Sequence, residues 1–157
     1  MTVLIRDSQR SLKANKRQIR QITEDLLTFL KLQDRDLSIL FTDNRQIQKM
    51  NKKFFGKDRP TNVISFSYLP PSGAVGPEFP CEIIGDIVIS LERAQEEAAN
   101  LGVPFYERVF ALIIHGILHI MGFDHVNDRN ERRRMRYREK KLFTYVANHR
   151  IYKEITL

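Results

Sequence analysis

Several features that mark common protein classes are missing from this 157-residue sequence. Its single cysteine, Cys81, excludes an internal disulfide and agrees with a reducing compartment. No run approaches the roughly 20 apolar residues of a membrane span, and the N-terminal residues lack the layout of a signal peptide. Repeats and low-complexity tracts are absent too. A single cytoplasmic domain is therefore expected.

Acidic residues are scarce relative to basic ones. There are 19 Asp and Glu against 26 Lys and Arg, which gives a formal net charge of +7. An excess of cations attracts polyanions, and nucleic acids above all. A solvated surface also carries Lys and Arg, so the charge alone leaves both interpretations open.

The spacing of apolar residues predicts an α+β fold. Short β-branched runs predict strands, and longer stretches with helical periodicity predict helices. The predicted strands cover residues 3–5, 37–41, 62–68 and 82–90, and the predicted helices cover residues 11–32, 45–55, 91–102, 105–121 and 127–148. A loop rich in Pro and Gly, residues 70–81, either borders the active cleft or is disordered. Residues 1–157 thus form a single domain, a small mixed β-sheet packed with several helices.

Three of the four histidines fall within eleven residues, HGILHIMGFDH, numbered 115–125. The helix that carries the first two is apolar almost all round, so it is predicted to be buried. His115 and His119 lie four residues apart, about 6 Å along the axis, and project from the same face. Gly122 can end the helix without a Cβ penalty. His125 can then turn back toward the pair.

Three imidazoles at this spacing indicate a metal site at the C-terminal end of the buried helix. Three separate hydrogen-bonded histidines are the alternative, but several unpaired polar groups would cost on the order of several kcal/mol to bury. His115, His119 and His125 leave a fourth position open, as in catalytic zinc sites. One zinc ion per chain is predicted, although nickel, copper or iron also accept three imidazoles. Asp124 either orients a ligand or makes a local backbone hydrogen bond.

The same histidine spacing occurs in the metzincin peptidases, H-E-x-x-H-x-x-G-x-x-H, where the Glu is the general base. Here that position is Gly116. Glycine cannot take a proton, so the peptidase mechanism lacks a central group.

Four segments resemble one known family. HGILHIMGFDH closely resembles H-G-x-L-H-x-x-G-[YF]-D-H of the YbeY family of metal-dependent endoribonucleases. MNKKFFGKDRPTNVISF resembles the family's L-N-x-x-[FY]-R-G-K-D-x-P-T-[DN]-V-L-S-F, and EIIGDIVIS resembles its L-G-D-I-V-I-S strand. RRRMRYREKKLF, with Met135 and Glu139, is similar to its M-x-x-x-E helix.

This resemblance implies a single α+β domain in which His115, His119 and His125 hold zinc. It also implies an enzyme that hydrolyses single-stranded RNA and takes part in ribosomal RNA maturation and ribosome quality control, with the ribosome as a partner. His115 is accordingly a metal-linked catalytic residue.

One departure from the family concerns the phosphate. The family usually has Arg before Gly-Lys-Asp, whereas this chain has Phe55. Either Arg59 or Lys57 replaces the missing guanidinium, or both are solvated turn residues. Arg59 is thus a candidate catalytic residue. Ser67, where the family often has Pro, is a smaller departure.

Two basic segments are candidate RNA-binding surfaces. Lys57 and Arg59 belong to the first, and Arg132 and Arg136 belong to the helix after the histidines. Only part of that helix can face a groove, and its remaining charges are expected to be solvated or paired with neighbouring glutamates.

The aromatic residues of the first segment allow two interpretations. Phe54 and Phe55 can stack on unpaired bases. For Phe54 a core position is favoured, because it continues the helix face of Ile47 and Met50. Phe55 remains open.

The general acid or base is not identified by the sequence. Asp86 is either that group or a residue that ties down its turn, and Cys81 is expected to pack in the interior. His149 is expected on the surface.

Three functions remain in competition. The first is a zinc-dependent endoribonuclease acting on ribosomal RNA. The second is a metallopeptidase-like hydrolase, disfavoured by Gly116 and the +7 charge. The third is a ribosome-associated assembly factor with a structural metal and little hydrolytic activity.

Overall fold

The computed structural model describes residues 3–69, 83–123 and 128–157. Within these ranges the elements are β1 (Val3–Asp7), α1 (Lys16–Phe29), β2 (Asp36–Thr42), α2 (Asn44–Phe55), β3 (Val63–Ser67), β4 (Ile83–Ser90), α3 (Leu91–Leu101), α4 (Phe105–Ile120), α5 (Arg129–Ala147) and α6 (Arg150–Ile155). Asp124, His125 and the predicted loop over residues 70–81, with Cys81, lie outside the described residues.

The described strands form one mixed sheet in the order β1-β2-β4-β3. β1 pairs parallel with β2 and β2 parallel with β4, whereas β3 pairs antiparallel with β4 and forms an edge. The parallel pair β1–β2 is joined through α1, as parallel neighbours require a crossover. The predicted single α+β domain with a small mixed sheet is confirmed.

The two faces of the sheet have separate apolar clusters. Ile39 and Ile87 point into the main core with α1, α4 and α5. Leu40 and Val88, the next residues along these strands, point to the opposite face and pack with Ile47 of α2. This alternation follows from the period of two in a strand. The sheet is therefore covered by several helices on one face and by α2 on the other.

Capping residues define the helices around the sheet as the sequence predicts. The Asp43 side chain accepts a hydrogen bond from the Gln46 backbone N–H at 2.8 Å, and Ser90 accepts one from Arg93 at 3.2 Å. Each satisfies a backbone donor that the first turn leaves unpaired. Gly56 and Gly102 end α2 and α3 with φ of 69° and 68°, a conformation that glycine adopts without strain.

The C-terminal end differs from the prediction. The last predicted helix is α5, and a further short helix, α6, follows it and packs against α1. His149 caps α6 by accepting from the Ile151 N–H, and its Nε2 lies 2.7 Å from Oδ2 of Asp25. Only 14% of its side chain is exposed. The expectation that His149 is a surface residue was wrong, because α6 folds back and brings it against α1.

Among the described residues, no single helix is long and apolar enough to cross a membrane. The one pair of helices that reaches this length together, α3 and α4, is bent by 117°.

Candidate active site

Helix α4 is the central buried element, and it positions His115 and His119, the two histidines of the motif that the structure describes. Its buried residues are Val109, Phe110, Leu112, Ile113, Ile114, Gly116, Ile117, Leu118 and Ile120. Each large side chain removed from water contributes roughly 1.5–3 kcal/mol, so this helix is fixed by packing on several sides. Over its last three turns only Ala111, His115 and His119, spaced by four residues, are half-buried. The histidines therefore lie on the one stripe of α4 that the core leaves open.

The two imidazoles face each other with their Nε2 atoms together. The distance from His115 Nε2 to His119 Nε2 is 2.9 Å, and the ring centroids are 4.4 Å apart. The spacing of four residues predicts this meeting, since side chains at i and i+4 lie one above the other. Two ring nitrogens thus converge on one point beside the helix.

Glu139 of α5 orients the first of these rings. Its Oε1 lies 3.2 Å from His115 Nδ1. An ionised carboxylate only accepts hydrogen bonds, so Nδ1 of His115 carries the proton and the lone pair of a neutral ring lies on Nε2. This pairing of carboxylate with histidine is the one that outer partners make at metal sites. This role of Glu139 was not predicted, although Glu139 lies in one of the four motifs.

The donor set fits a divalent transition metal. Two nitrogens at about 2.0–2.1 Å from a tetrahedral ion would be roughly 3.3 Å apart, close to the observed separation. Within residues 3–69, 83–123 and 128–157, no three His, Cys, Asp or Glu side chains form a group suited to a metal. The predicted third ligand, His125, and its neighbour Asp124 lie outside those ranges.

The end of α4 has the turn that the motif predicts. Gly122 has φ of 93°, in the left-handed region, and the N–H of Phe123 donates to the Leu118 carbonyl at 2.9 Å. The Arg138 guanidinium lies over the Phe123 ring at 4.0 Å, which holds the chain against α5 as it leaves the helix.

Gly116 is required by close packing of α4 on β4. A Cβ at this position would lie 2.8 Å from Cδ1 and 3.0 Å from Cγ1 of Ile87, a fully buried strand residue. No glutamate fits where the peptidases have their general base. The comparison with metzincins therefore ends at the histidine spacing.

Comparison with known proteins assigns the chain to a family. The family model for endoribonuclease YbeY matches residues 4–147. The chain belongs to the endoribonuclease YbeY family. Endoribonuclease YbeY of Geobacter sulfurreducens is 37% identical over 149 residues, which are 94% of this chain and 97% of that protein. The protein of the same name from Syntrophus aciditrophicus is 37% identical over 145 residues, 91% of this chain and 88% of that one.

A solved structure has the same fold. The solution structure of a Thermotoga maritima protein matches with a TM-score of 0.64 and 22% identity, over 92% of this chain and 89% of that chain. The family model and the relatives confirm the membership in the YbeY family that four motifs predicted.

Arg136, one of the predicted RNA-binding residues of α5, lies close to Glu139, the partner of His115. Arg136, Glu139 and Lys140 line a groove of about 270 Å³ between α4 and α5, together with Ala111 of the half-buried stripe. Arg132 precedes Arg136 by one turn, so both lie on the same side of α5. Both are exposed. The position of Arg136 and Lys140 in the same groove as Glu139 suits the binding of a phosphate close to the candidate metal.

Lys57 and Arg59 lie in a second basic region. They line a polar cavity of about 370 Å³ with Asn51 and Arg93. The Asn51 amide donates to the Arg59 carbonyl at 2.9 Å and fixes the backbone of this turn. The structure thus groups Lys57 and Arg59 with Arg93, away from the α5 groove.

The residue in place of the YbeY-family arginine is an aromatic surface residue. Phe55 is 51% exposed and stacks on Phe66 with centroids 6.1 Å apart. Phe54 is also 51% exposed and meets the edge of Phe66 at 5.2 Å. The favoured core position for Phe54 was wrong, because its ring, in the last turn of α2, meets only the edge of Phe66 outside the buried residues around Ile47.

Asp86 lies on the sheet face opposite α4. Its Oδ2 accepts a hydrogen bond from the Tyr68 hydroxyl, which raises the pKa of Tyr68, with burial and the Asp86 charge adding to the shift. This places it on the side of the sheet away from His115 and His119.

Proposed function

We propose that this chain is a metal-dependent endoribonuclease that hydrolyses phosphodiester bonds of single-stranded RNA. One divalent cation, zinc in the first instance, is held by His115, His119 and His125. The observation that carries the proposal is the convergence of two Nε2 atoms at 2.9 Å, with Glu139 on the far nitrogen of one ring, in a chain of the endoribonuclease YbeY family.

The chain's own residues supply orientation and charge. Glu139 holds the proton on His115 Nδ1, so that Nε2 presents its lone pair toward His119. A divalent ion bound there supplies a Lewis acid for the phosphate and lowers the pKa of a water molecule. Arg136 and Lys140 attract the phosphate to the same groove, and Arg132 extends this cationic stripe along α5.

Ribosomal RNA is the proposed substrate, with the ribosome as partner and the cytoplasm as location. The net charge of +7 supports binding to a polyanion. The maturation of ribosomal RNA and ribosome quality control follow from the resemblance to the YbeY family. Lys57 and Arg59 line a second polar cavity that suits a neighbouring phosphate of the strand, and Arg93 in the same cavity pairs with Glu97. Arg59 in the reaction itself remains a prediction.

A ribosome-associated assembly factor with a structural metal is the second candidate. Phe55 in place of the family's arginine favours it, because a stacked and exposed aromatic ring cannot stabilise phosphate charge. A peptidase is disfavoured, since the packing of Gly116 on Ile87 excludes the general base.

Cleavage of an end-labelled single-stranded RNA by wild type, His115→Ala and His149→Asn tests the proposal. The wild type should cut single strands and spare the same sequence in a duplex. His115→Ala should lower the rate by more than the 10- to 100-fold typical of losing an outer partner. His149→Asn removes a histidine far from the site, keeps a capping acceptor, and should leave the rate unchanged.

Two results would change the assignment. Equal cleavage by wild type and His115→Ala would contradict the proposed metal-dependent endoribonuclease and support the function as an assembly factor. Loss of folding together with loss of metal in His115→Ala would make the metal structural.

A further inference from the structure

Helix α2 covers only part of the sheet face that lies opposite α4. Ile47 and Met50 of α2 cover Val88 and Ile64, and beyond them a cavity of about 350 Å³ opens on the sheet. This volume is in the range of ligand pockets, about 300–1,000 Å³. The cavity is on the face opposite α4, so it is separate from the histidine pair.

Aromatic rings form the walls of this cavity. Phe54 and Phe66 meet edge to face, and Tyr68 follows Phe66 on the same face of β3. Phe54 is 51% exposed and Tyr68 47% exposed. Large apolar rings are usually buried, and their exposure in one cluster indicates a binding surface.

Polar residues also line the cavity. These residues are Ser38, Asp86 and Arg6. The Tyr68 hydroxyl bonds one oxygen of Asp86, and a carboxylate has further acceptor capacity. The cavity therefore has an acceptor for an amino group and donors for a carbonyl or ring nitrogen.

The surroundings of the cavity are cationic. The Lys53 ammonium lies 5.3 Å from the centre of the Phe54 ring. Stacking rings next to cations are the combination with which proteins hold single-stranded nucleic acids, and RNA-binding sheets present such rings on an open face. A lipid chain has no groups that pair with Ser38, Asp86 and Arg6.

The edge strand β3 connects this face to the candidate metal. The Ser67 hydroxyl donates to the carbonyl of Ile120 at the end of α4, at 2.8 Å. Phe66 and Tyr68 flank Ser67 and point to the other side. An RNA chain bound at His119 would therefore have to pass only over β3 to reach the cavity.

We propose that this cavity, hereafter the base pocket (Phe54, Phe66, Tyr68, Ser38, Asp86 and Arg6), binds one unpaired nucleobase of the RNA substrate. The base stacks on the aromatic rings, and its polar edge bonds to Asp86, Ser38 and Arg6. This inference rests on the proposed function and adds a subsite that selects single strands, because a paired base cannot enter.

Binding of a ten-nucleotide 2′-O-methyl RNA tests the base pocket, compared by fluorescence anisotropy with the same backbone lacking bases. Wild type should bind the oligomer with bases roughly 5- to 100-fold more tightly. Phe54→Leu and Tyr68→Ala should reduce this ratio at least fivefold. Phe29→Leu is the matched control, since Phe29 is 45% exposed and stacks on Tyr145 elsewhere, and it should keep the wild-type ratio.

The outcomes separate this inference from the proposed function. Suppose that wild type cleaves RNA but Phe54→Leu and Tyr68→Ala keep the full preference for the oligomer with bases. The inference of a base pocket is then wrong, whereas the proposed endoribonuclease function is retained. If wild type neither binds nor cleaves RNA, both are wrong. Concentration-dependent dimers of wild type that Phe54→Leu dissolves would identify the face as a self-interface and overturn the inference.

Photocrosslinking of the wild type does not depend on the folding of any variant. A single-stranded RNA with 4-thiouridine should crosslink to Phe54, Phe66 or Tyr68, identified by mass spectrometry of the peptides. Crosslinks confined to α5 would overturn the base pocket.

Discussion

At the scale of single residues, the hydrogen bond between His115 and Glu139 determines how the metal ligands are presented. Changing Glu139→Gln keeps an oxygen acceptor for Nδ1 and removes its charge. Outer carboxylates increase the basicity of the ligand, so metal affinity should fall about 10- to 100-fold. Competition with a chelating dye measures this affinity.

Glu131→Gln provides the matched control for this change. Glu131 lies on the same helix and pairs with Arg134 at 2.8 Å, so its loss should leave metal affinity unchanged. Equal affinities in both variants would show that Glu139 plays no orienting part.

Tyr152 predicts an alkaline loss of stability. Burial, with a smaller contribution from Glu107, raises the pKa of Tyr152 from 10 to about 12. Because this pKa is higher in the folded than in the unfolded chain, the stabilisation is complete below pH 10 and is lost as the pH rises toward 12. Tyr152→Phe should therefore lose less stability than wild type between pH 8 and pH 11, measured by urea unfolding. Equal losses of stability in wild type and Tyr152→Phe would contradict the attribution of the alkaline loss to Tyr152.

The individual site residues were predictable to different degrees. His115 and His119 could be paired from their spacing, because four residues in a helix determine a shared face. Glu139 and the base pocket depend on contacts between segments far apart in the chain, which no local pattern contains. His149 was wrongly expected on the surface for the same reason.

At the scale of elements, the contact of α4 with β4 explains the glycine in the histidine motif. Gly116→Ala adds a methyl group within 2.8 Å of the buried Ile87. Overpacking costs about 1–3 kcal/mol and exceeds the roughly 1 kcal/mol that alanine gains in a helix. A net destabilisation of up to about 2 kcal/mol is expected in urea unfolding.

Ile87→Val tests the cause of that loss, because it removes the Cδ1 atom nearest to the new methyl group. In a double-mutant cycle the two changes should couple by at least about 0.5 kcal/mol. Stabilisation by Gly116→Ala alone would mean that helix propensity dominates and that the packing is looser than described.

The types of most elements followed from the sequence, whereas their arrangement did not. Asp43, Ser90 and Gly56 act through neighbours a few residues away, so the bounds they set were predictable. The order β1-β2-β4-β3 depends on pairings across the chain, such as Ile39 with Ile87. The short helix α6 was missed because six residues carry too little periodicity to be recognised.

At the scale of the whole molecule, the positive charge predicts how RNA binding depends on salt. Each phosphate contact on a single strand contributes about 0.7 to the slope of log affinity against log salt. Arg136→Ala should lower the slope by about that amount, since Arg136 lines the groove beside Glu139. Arg134→Ala, which removes an arginine already paired with Glu131, should change it less. Equal slopes for the two variants would place the RNA elsewhere.

The proposed function requires that RNA cleavage depends on one metal ion held by His115, His119 and His125. The most direct test is to strip the chain with a chelator and to titrate zinc back while the cleavage rate of a single-stranded RNA is recorded. The rate should be negligible without metal and reach its plateau at one equivalent per chain. Full cleavage by the stripped protein, with no response to added metal, would contradict this dependence on the metal.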